Sequence, residues 1–469
     1  MAATLRQRAQ PSTKDKDADV LSTSSASECG SDADVSPITA HENDYPPFVV
    51  PNFTVKEILG AIPSHCFERS ALRSSVYVVA DFAMVAALGY AASFIEPALG
   101  FNGEQLNGWA GFAAKWAAWG LYWMVQGWVM TGIWILGGHQ AFSTSKFINN
   151  TMGLFLHSFV LVPYHSWRIS HAKHHAATGH LTRDEVFVPR TASYRGVSEK
   201  GTGKKKEVEK GIVLDELLED APLYRLGWLL IQQIFGWPAY LFSNASGQLW
   251  YPEWTNREST FRSLRDQELI FPTPADFDPK SLIFDARHRF QVVLSDAFLI
   301  GMLSLLTLFG MKMGGFGEVV KYYGIPYLFV NHWLVMITYL QHTDPQLPHY
   351  SSAEWNFQRG ALCTIDRNLL GPVGPYLMHG ICETHVAHHV SSKIPHYHAW
   401  DATEALKNFL GPHYHSTDEN MFKSLWKSYR LCRYVDDDTP VVMYRDAYGR
   451  QYRRVEYEHP PSDSGVEGL

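Results

Sequence analysis

The chain has 469 residues, a formal net charge of -7 and five cysteines without a CxxC pair. The acidic balance offers nothing to nucleic acid, and the scattered, odd cysteines exclude a disulfide framework or a zinc ribbon. Aromatic residues reach 14% and charged residues only 19%, which is apolar for a soluble protein of this size.

Residues 1–45 are rich in Ser, Asp, Ala and Thr and read as a disordered cytosolic tail. They hold no apolar core that would serve as a signal peptide, so insertion is expected to rely on an internal span. Residues 52–60 read as a short amphipathic helix with Thr54 as its N-cap. The first expected membrane span covers about 76–95, with Asp81 near its start, reached by water or a partner. The second covers about 113–138 and is dense in tryptophan, with Gly120, Gly127 and Gly132 placed for close helix packing. The run 152–164, with His157, is too short to span, and the run 223–242 is broken by Gln232, Gln233 and Pro238; both read as interfacial. Two further spans are expected at about 292–309 and 319–341.

The predicted fold is therefore an all-α polytopic membrane protein. It has four transmembrane helices in two hairpins, with interfacial helices and a histidine-rich cap formed by 143–290 and 342–430. A membrane domain over 46–430 is followed by a C-terminal tail at 431–469. Arg69 and Arg73 precede the first span, the loop 96–111 lacks Lys and Arg, and 146–225 is rich in both. The cap and both termini are thus expected in the cytosol. Lys312 and Lys321 cut against this, but an even number of spans overrides them. The glycosylation sequons at Asn52, Asn149 and Asn244 would go unused there. The run from Lys204 to Lys210 reads most simply as a solvated loop.

Two HxxHH boxes dominate the cap, His171-Ala-Lys-His174-His175 and His385-Val-Ala-His388-His389. With 22 histidines in 469 residues, one such pattern by chance is uncommon and two are rarer still. Positions i, i+3 and i+4 share one helical face, so each box is expected to aim three imidazoles at one point. Neutral imidazole suits iron, copper, nickel and zinc. Each box follows one pair of spans. His139, ending the second span, and His342, ending the fourth, lie on the same side and complete the candidate ligand set.

The stretches GHQAFS, HSFVLVPYHSWRISHAKHHAATGH, TYLQHTDPQLPHY, DRNLLGPVG and HGICETHVAHH resemble the membrane fatty-acid desaturases, most of all the fungal oleate Δ12 branch. The resemblance covers about 45–450. It implies an endoplasmic-reticulum membrane enzyme with two irons that uses O₂ to place a Δ12 double bond in an oleoyl chain on phospholipid or CoA. It also implies cytochrome b5 and its reductase as electron donors. On the same scaffold the alternatives are an ω3 desaturase, a hydroxylase, an acetylenase or a catalytically impaired relative. The last alternative arises because the family's first box, usually HECGH, is truncated. The triplet His-Glu-Cys is missing between Gly137 and Gly138, Ile135 stands four residues before His139, and one iron is expected to be short of an imidazole.

Around the boxes, Asp184, Glu185, Glu383 and Thr384 are candidates to orient histidines through the second ring nitrogen. His180 is a candidate partner or a loop residue, His396 and His398 read as surface residues, and His349 and Tyr350 carry no derivable role. A long acyl chain requires a narrow apolar tunnel beneath the cap.

Overall fold

The computed structural model describes residues 46–99, 108–195, 221–248 and 275–457. The expected disordered tail 1–45, the lysine run at 204–210 and the chain after 457 lie outside the described residues.

The chain is mainly helical. Strand β1 (Pro47–Val50) leads into α1 (Val55–Ala61). Thr54 caps α1 as expected, its hydroxyl accepting from the Glu57 N–H at 3.2 Å while the Glu57 carboxylate accepts from the Thr54 N–H at 2.8 Å. Next come α2 (Ala71–Ala92), α3 (Trp109–Gly137), α4 (Lys146–Phe159), α5 (Tyr164–Ala177) and α6 (Pro222–Ser243). The second half holds α7 (Arg289–Met313), α8 (Ile325–His342), α9 (His385–Val390), α10 (His396–Leu410) and α11 (Met421–Leu431).

Two of the four expected spans belong to helices that are long and apolar enough to cross a bilayer, at Ala71–Leu99 and Ala286–Met313. The other two coincide with α3 and α8, which pack against each other and carry tryptophan, tyrosine, Gln126 and Asn331 among their buried residues. These side chains lower the hydropathy of both helices. Of the two interfacial segments, 223–242 lies within the continuous helix α6, which runs along α8, whereas 152–164 crosses the end of α4, a turn and the first residue of α5; α4 packs on α3 and α7.

Glycine sets how closely α3 approaches its neighbours. A Cβ on Gly127 would stand 2.4 Å from that of Phe329, and one on Gly132 would stand 2.3 Å from the Leu377 carbonyl. Gly120 faces open space, so the packing expectation holds for two of the three.

At 430 the chain is still within α11, and two strands follow it. Strand β2 (Pro348–Tyr350) pairs antiparallel with β3 (Val441–Met443), and β4 (Arg454–Tyr457) pairs parallel with β1. This stretch therefore closes the cap, and Val441 and Met443 are buried with Phe48 and Tyr350.

Candidate metal centre

Box two lies on α5 and box three forms α9. The two boxes do not each aim at one point. They interlace into two clusters. His171 and His175 of box two join His139 and His388 in the first, with their ligand atoms all within 4.8 Å of one another. His174, His342 and His389 form the second on the same criterion. His385 joins the second through His342, Nε2 to Nε2 at 3.1 Å.

Helical phase explains the split. From residue i, position i+4 lies about 40° forward and i+3 about 60° back on the helix. In box two the i, i+4 pair serves the first cluster and i+3 the second; box three does the reverse. His139 and His342 then complete four imidazoles on each side. The rings of His175 and His389 stack at 4.1 Å where the clusters meet.

The spacing fits metal ligation. A metal–imidazole bond of roughly 2.0–2.1 Å places adjacent ligand nitrogens roughly 3.0–3.4 Å apart. Nε2 atoms stand 3.1 Å apart between His175 and His171 and 3.3 Å between His174 and His342. His389 Nε2 is buried with no hydrogen-bond partner, a costly state for an imidazole unless an ion takes the lone pair.

Burial disfavours the charged form of most of these rings. Burial, reinforced by the neighbouring His174, holds His139 and His385 down to about 3. Burial and the other rings lower His171, His175, His388 and His389 well below the ordinary value. Neutral rings are the form that binds metal.

Partners on the second nitrogen set the tautomers. His174 Nδ1 donates to Asp184 Oδ1 at 2.6 Å, and Asp184 Oδ2 accepts from the Gly179 N–H at 2.8 Å. His389 Nδ1 meets Thr178 Oγ1 at 3.1 Å, while that hydroxyl donates to the His174 carbonyl. Asp184 thus orients a ligand as expected. Glu185 faces Lys173 at 3.9 Å. Thr384 donates to the Gly380 carbonyl, and both Glu383 carboxylate oxygens are buried without a partner.

The sequence reading missed Thr178 and Asp366. Asp366 accepts from the Val386 N–H at 2.9 Å and from the Tyr414 hydroxyl, so it fixes the start of α9. Its place in the DRNLLGPVG stretch was the only signal. His180 is fully buried but away from both clusters, bonded to the Thr182 N–H at 3.0 Å and to Ser352. Tyr350 pairs with it across an isolated bridge, and His349 packs on Tyr444. His396 and His398 are half-buried rather than exposed, because α10 turns their rings against α2 and the segment ahead of it. Asp81 has a protein partner, His379.

A cavity of about 300 Å³ opens beside both clusters. Trp134, Trp167, Phe187 and Trp237 line it, with histidines of both clusters in its wall. Its size and apolar lining suit a flexible hydrocarbon segment. Ile135, at the position of the family's missing histidine, also lines it.

Comparison with known proteins accords with this geometry. The sequence model described as fatty acid desaturase matches residues 114–420. The chain is 45% identical over 403 residues to a Delta(12) fatty acid desaturase of Mortierella isabellina, covering 85% of this chain and 92% of that one. It is 40% identical over 397 residues to an oleate hydroxylase of Claviceps purpurea, covering 83% and 78%. It is also 39% identical over 408 residues to a Delta(12)-oleate desaturase of Trichosanthes kirilowii, covering 85% and 97%.

Proposed function

This chain belongs to the fatty acid desaturase family, and we propose that it places a Δ12 double bond in oleoyl chains to give linoleoyl chains. The observation that carries the proposal is the pair of four-histidine clusters opening on one apolar cavity. The likeness to Δ12 enzymes over most of the chain supports the choice of bond.

In this reading each cluster holds one iron: His139, His171, His175 and His388 the first, and His174, His342, His385 and His389 the second. When bound, the irons supply the O₂ activation and oxidising strength needed to break two unactivated C–H bonds. The chain's own residues do the rest. The tryptophan-lined cavity holds the acyl segment and excludes water. Asp184 and Thr178 hold His174 and His389 in the tautomer that leaves Nε2 for metal. The position four residues before His139 presents the Ile135 side chain, which donates nothing, so the first cluster stops at four imidazoles.

Four spans, formed by α2, α3, α7 and α8, place the cap on the cytosolic side of the endoplasmic-reticulum membrane. There the cap meets its electron donors, cytochrome b5 and its reductase. The acyl chain arrives on phospholipid or CoA.

Expression in a yeast that makes oleate but no linoleate tests the reading, with fatty acids identified by gas chromatography and mass spectrometry. Linoleate is the expected product. A hydroxylated, acetylenic or ω3-unsaturated product assigns the sister chemistry, and an unchanged fatty-acid profile overturns the proposal.

A further inference from the structure

Asp81 lies on α2 in one of the two helices fit to cross a bilayer, yet it is only 2% exposed. A buried carboxylate at such a place is costly and calls for a partner. Its Oδ2 stands 2.8 Å from His379 Nε2, and the two side chains are 3% and 4% exposed. His379 holds a left-handed backbone with φ 50, which is unfavourable for a residue with a Cβ. Neither residue touches either cluster, so metal ligation does not explain the pair.

A series of titratable rings runs outward from this pair. His379 meets His396 at 4.8 Å between ring centroids. His396 meets Tyr397 at 5.2 Å, Tyr397 meets His398 at 4.8 Å, and His398 meets the exposed His65 at 5.4 Å. Inward, a second cavity of about 50 Å³ is lined by His379 and His396, by Ser74 and Thr384, and by His139 and His388 of the first cluster. That volume has room for water beside polar partners. His396 Nε2 is shielded from solvent with no hydrogen-bond partner in the protein.

We propose that Asp81, His379 and His396 form a proton path from the protein surface to the first histidine cluster. The inference rests on the desaturase reading. Per turnover the balance is R–CH₂–CH₂–R′ + O₂ + 2 e⁻ + 2 H⁺ → R–CH=CH–R′ + 2 H₂O. The substrate gives two hydrogens, a one-electron protein donor gives two electrons in two steps, and the water phase gives two protons. In that reading the hydrocarbon segment fills the larger cavity, so the protons are routed through the second one. His396 takes a proton on one ring nitrogen and releases one from the other. His379, whose Nε2 is held by Asp81, takes the proton at Nδ1 and yields it from the same atom to water in the cavity, while Asp81 stabilises the transient imidazolium.

The charges around the path are consistent with transfer rather than storage. His379 faces Asp81 and Tyr77 from α2 and His396 from α10, with the α3 backbone at Gly132 closing the fourth side. His396 faces Tyr77, Tyr397 and His379, with Arg73 and His398 close by. Burial first, then His379 and Arg73, pushes His396 down to about 2, so its ring rests neutral and holds a proton only in passage.

Two measurements test the path. The first needs no turnover. In the zinc-loaded protein carrying ¹⁵N-labelled histidine, Asp81→Asn is expected to shift the ring resonances of both His379 and His396, each assigned by its own Gln variant. A His396 resonance that stays put overturns the proposal. The second uses membranes supplied with reductant. His379→Gln and His396→Gln are each expected to lower turnover at least tenfold and raise the solvent deuterium isotope effect, with metal content unchanged. In His396→Gly, added imidazole is expected to restore turnover, which a purely structural role would not allow. Wild-type turnover and isotope effect in both Gln variants overturn the path. If His379→Gln loses its metal, the half-buried His396 variants decide alone. A wild-type chain that makes no unsaturated product sinks the desaturase reading while leaving the zinc measurement to judge the coupling.

Discussion

Restoring His-Glu-Cys between Gly137 and Gly138 is expected to raise linoleate output at least tenfold. Three added residues lengthen α3 by about 4.5 Å and turn the helix upstream by about 60° from its former phase. The junction has no room to bulge. A Cβ on Gly137 would stand 3.0 Å from the His157 ring, and one on Gly138 would stand 3.0 Å from Trp167. The insertion must therefore push α3 along its axis and remake the contacts of Gly127 with Phe329 and of Gly132 with Leu377. Losing even a partner behind a ligand costs roughly 10–100-fold in metal affinity or activity, about 1.4–2.7 kcal/mol; a missing imidazole on the metal itself costs at least as much. Ile135→His isolates the ligand from the register, because Ile135 already lines both cavities beside His139. It forfeits about 1–2 kcal/mol of apolar burial in the metal-free protein and should recover that once iron binds. The assay is linoleate per milligram of chain in yeast, with iron per chain on the detergent-purified protein. A folded insertion variant with unchanged iron and unchanged linoleate would refute the reasoning. Rescue by the insertion but not by Ile135→His would locate the deficit in the helix register.

Three further outcomes follow from the same geometry. Asp184→Asn removes the carboxylate behind His174 and should weaken metal binding at the second cluster by about 10–100-fold, read by competition with a chelator; an unchanged affinity would count against Asp184 as orienter. Asp366→Ala uncaps α9 and should cost about 1–2 kcal/mol of stability, with box three losing metal first; unchanged thermal unfolding and iron content would show that α9 holds itself. Acid should destabilise the metal-free protein: His139 and His385 fall to about 3 and His349 and His415 to about 4, chiefly through burial. Unfolded histidine titrates near 6.5, so the unfolded state takes up protons first, and stability present above pH 6.5 is lost as pH falls towards 3. A midpoint of thermal unfolding that is flat from pH 7 to pH 4 would contradict this.

The clustering of the eight histidines was legible because the HxxHH spacing is short and fixed, and spacing survives in a linear sequence. What was not legible is which cluster each ring serves. That depends on how α5 and α9 face each other, and two HxxHH patterns are identical on paper. Asp184 was visible because it lies ten residues from His174, in the loop that follows α5. Asp366 was hidden because its task, capping α9, joins residues twenty apart through a turn that no local pattern marks. Asp81 and His379 are 298 residues apart, and only the packing of α2 beside the chain ahead of α9 brings them together. The α3 and α8 segments bury tryptophan, tyrosine and amide side chains, so a pattern read as membrane-spanning also encodes helix packing inside the protein.

The interlacing of the two boxes has a mechanical consequence. Because each box serves both clusters, neither helix can shift without disturbing both histidine clusters at once. A 1 Å displacement of α9 would move His388 in the first cluster and His385 and His389 in the second. Oxidising an unactivated methylene needs two sites held at a fixed separation over one segment of acyl chain. Sharing ligands between helices achieves this with short elements: α9 is six residues long and would not be stable alone. Its support comes from Asp366 at its start, from Thr178 on His389, and from the packing of Val386, Ala387 and Val390 beneath α10. A truncated first box removes one donor from this arrangement but leaves every one of these supports in place. The fold therefore tolerates the loss more readily than the chemistry does.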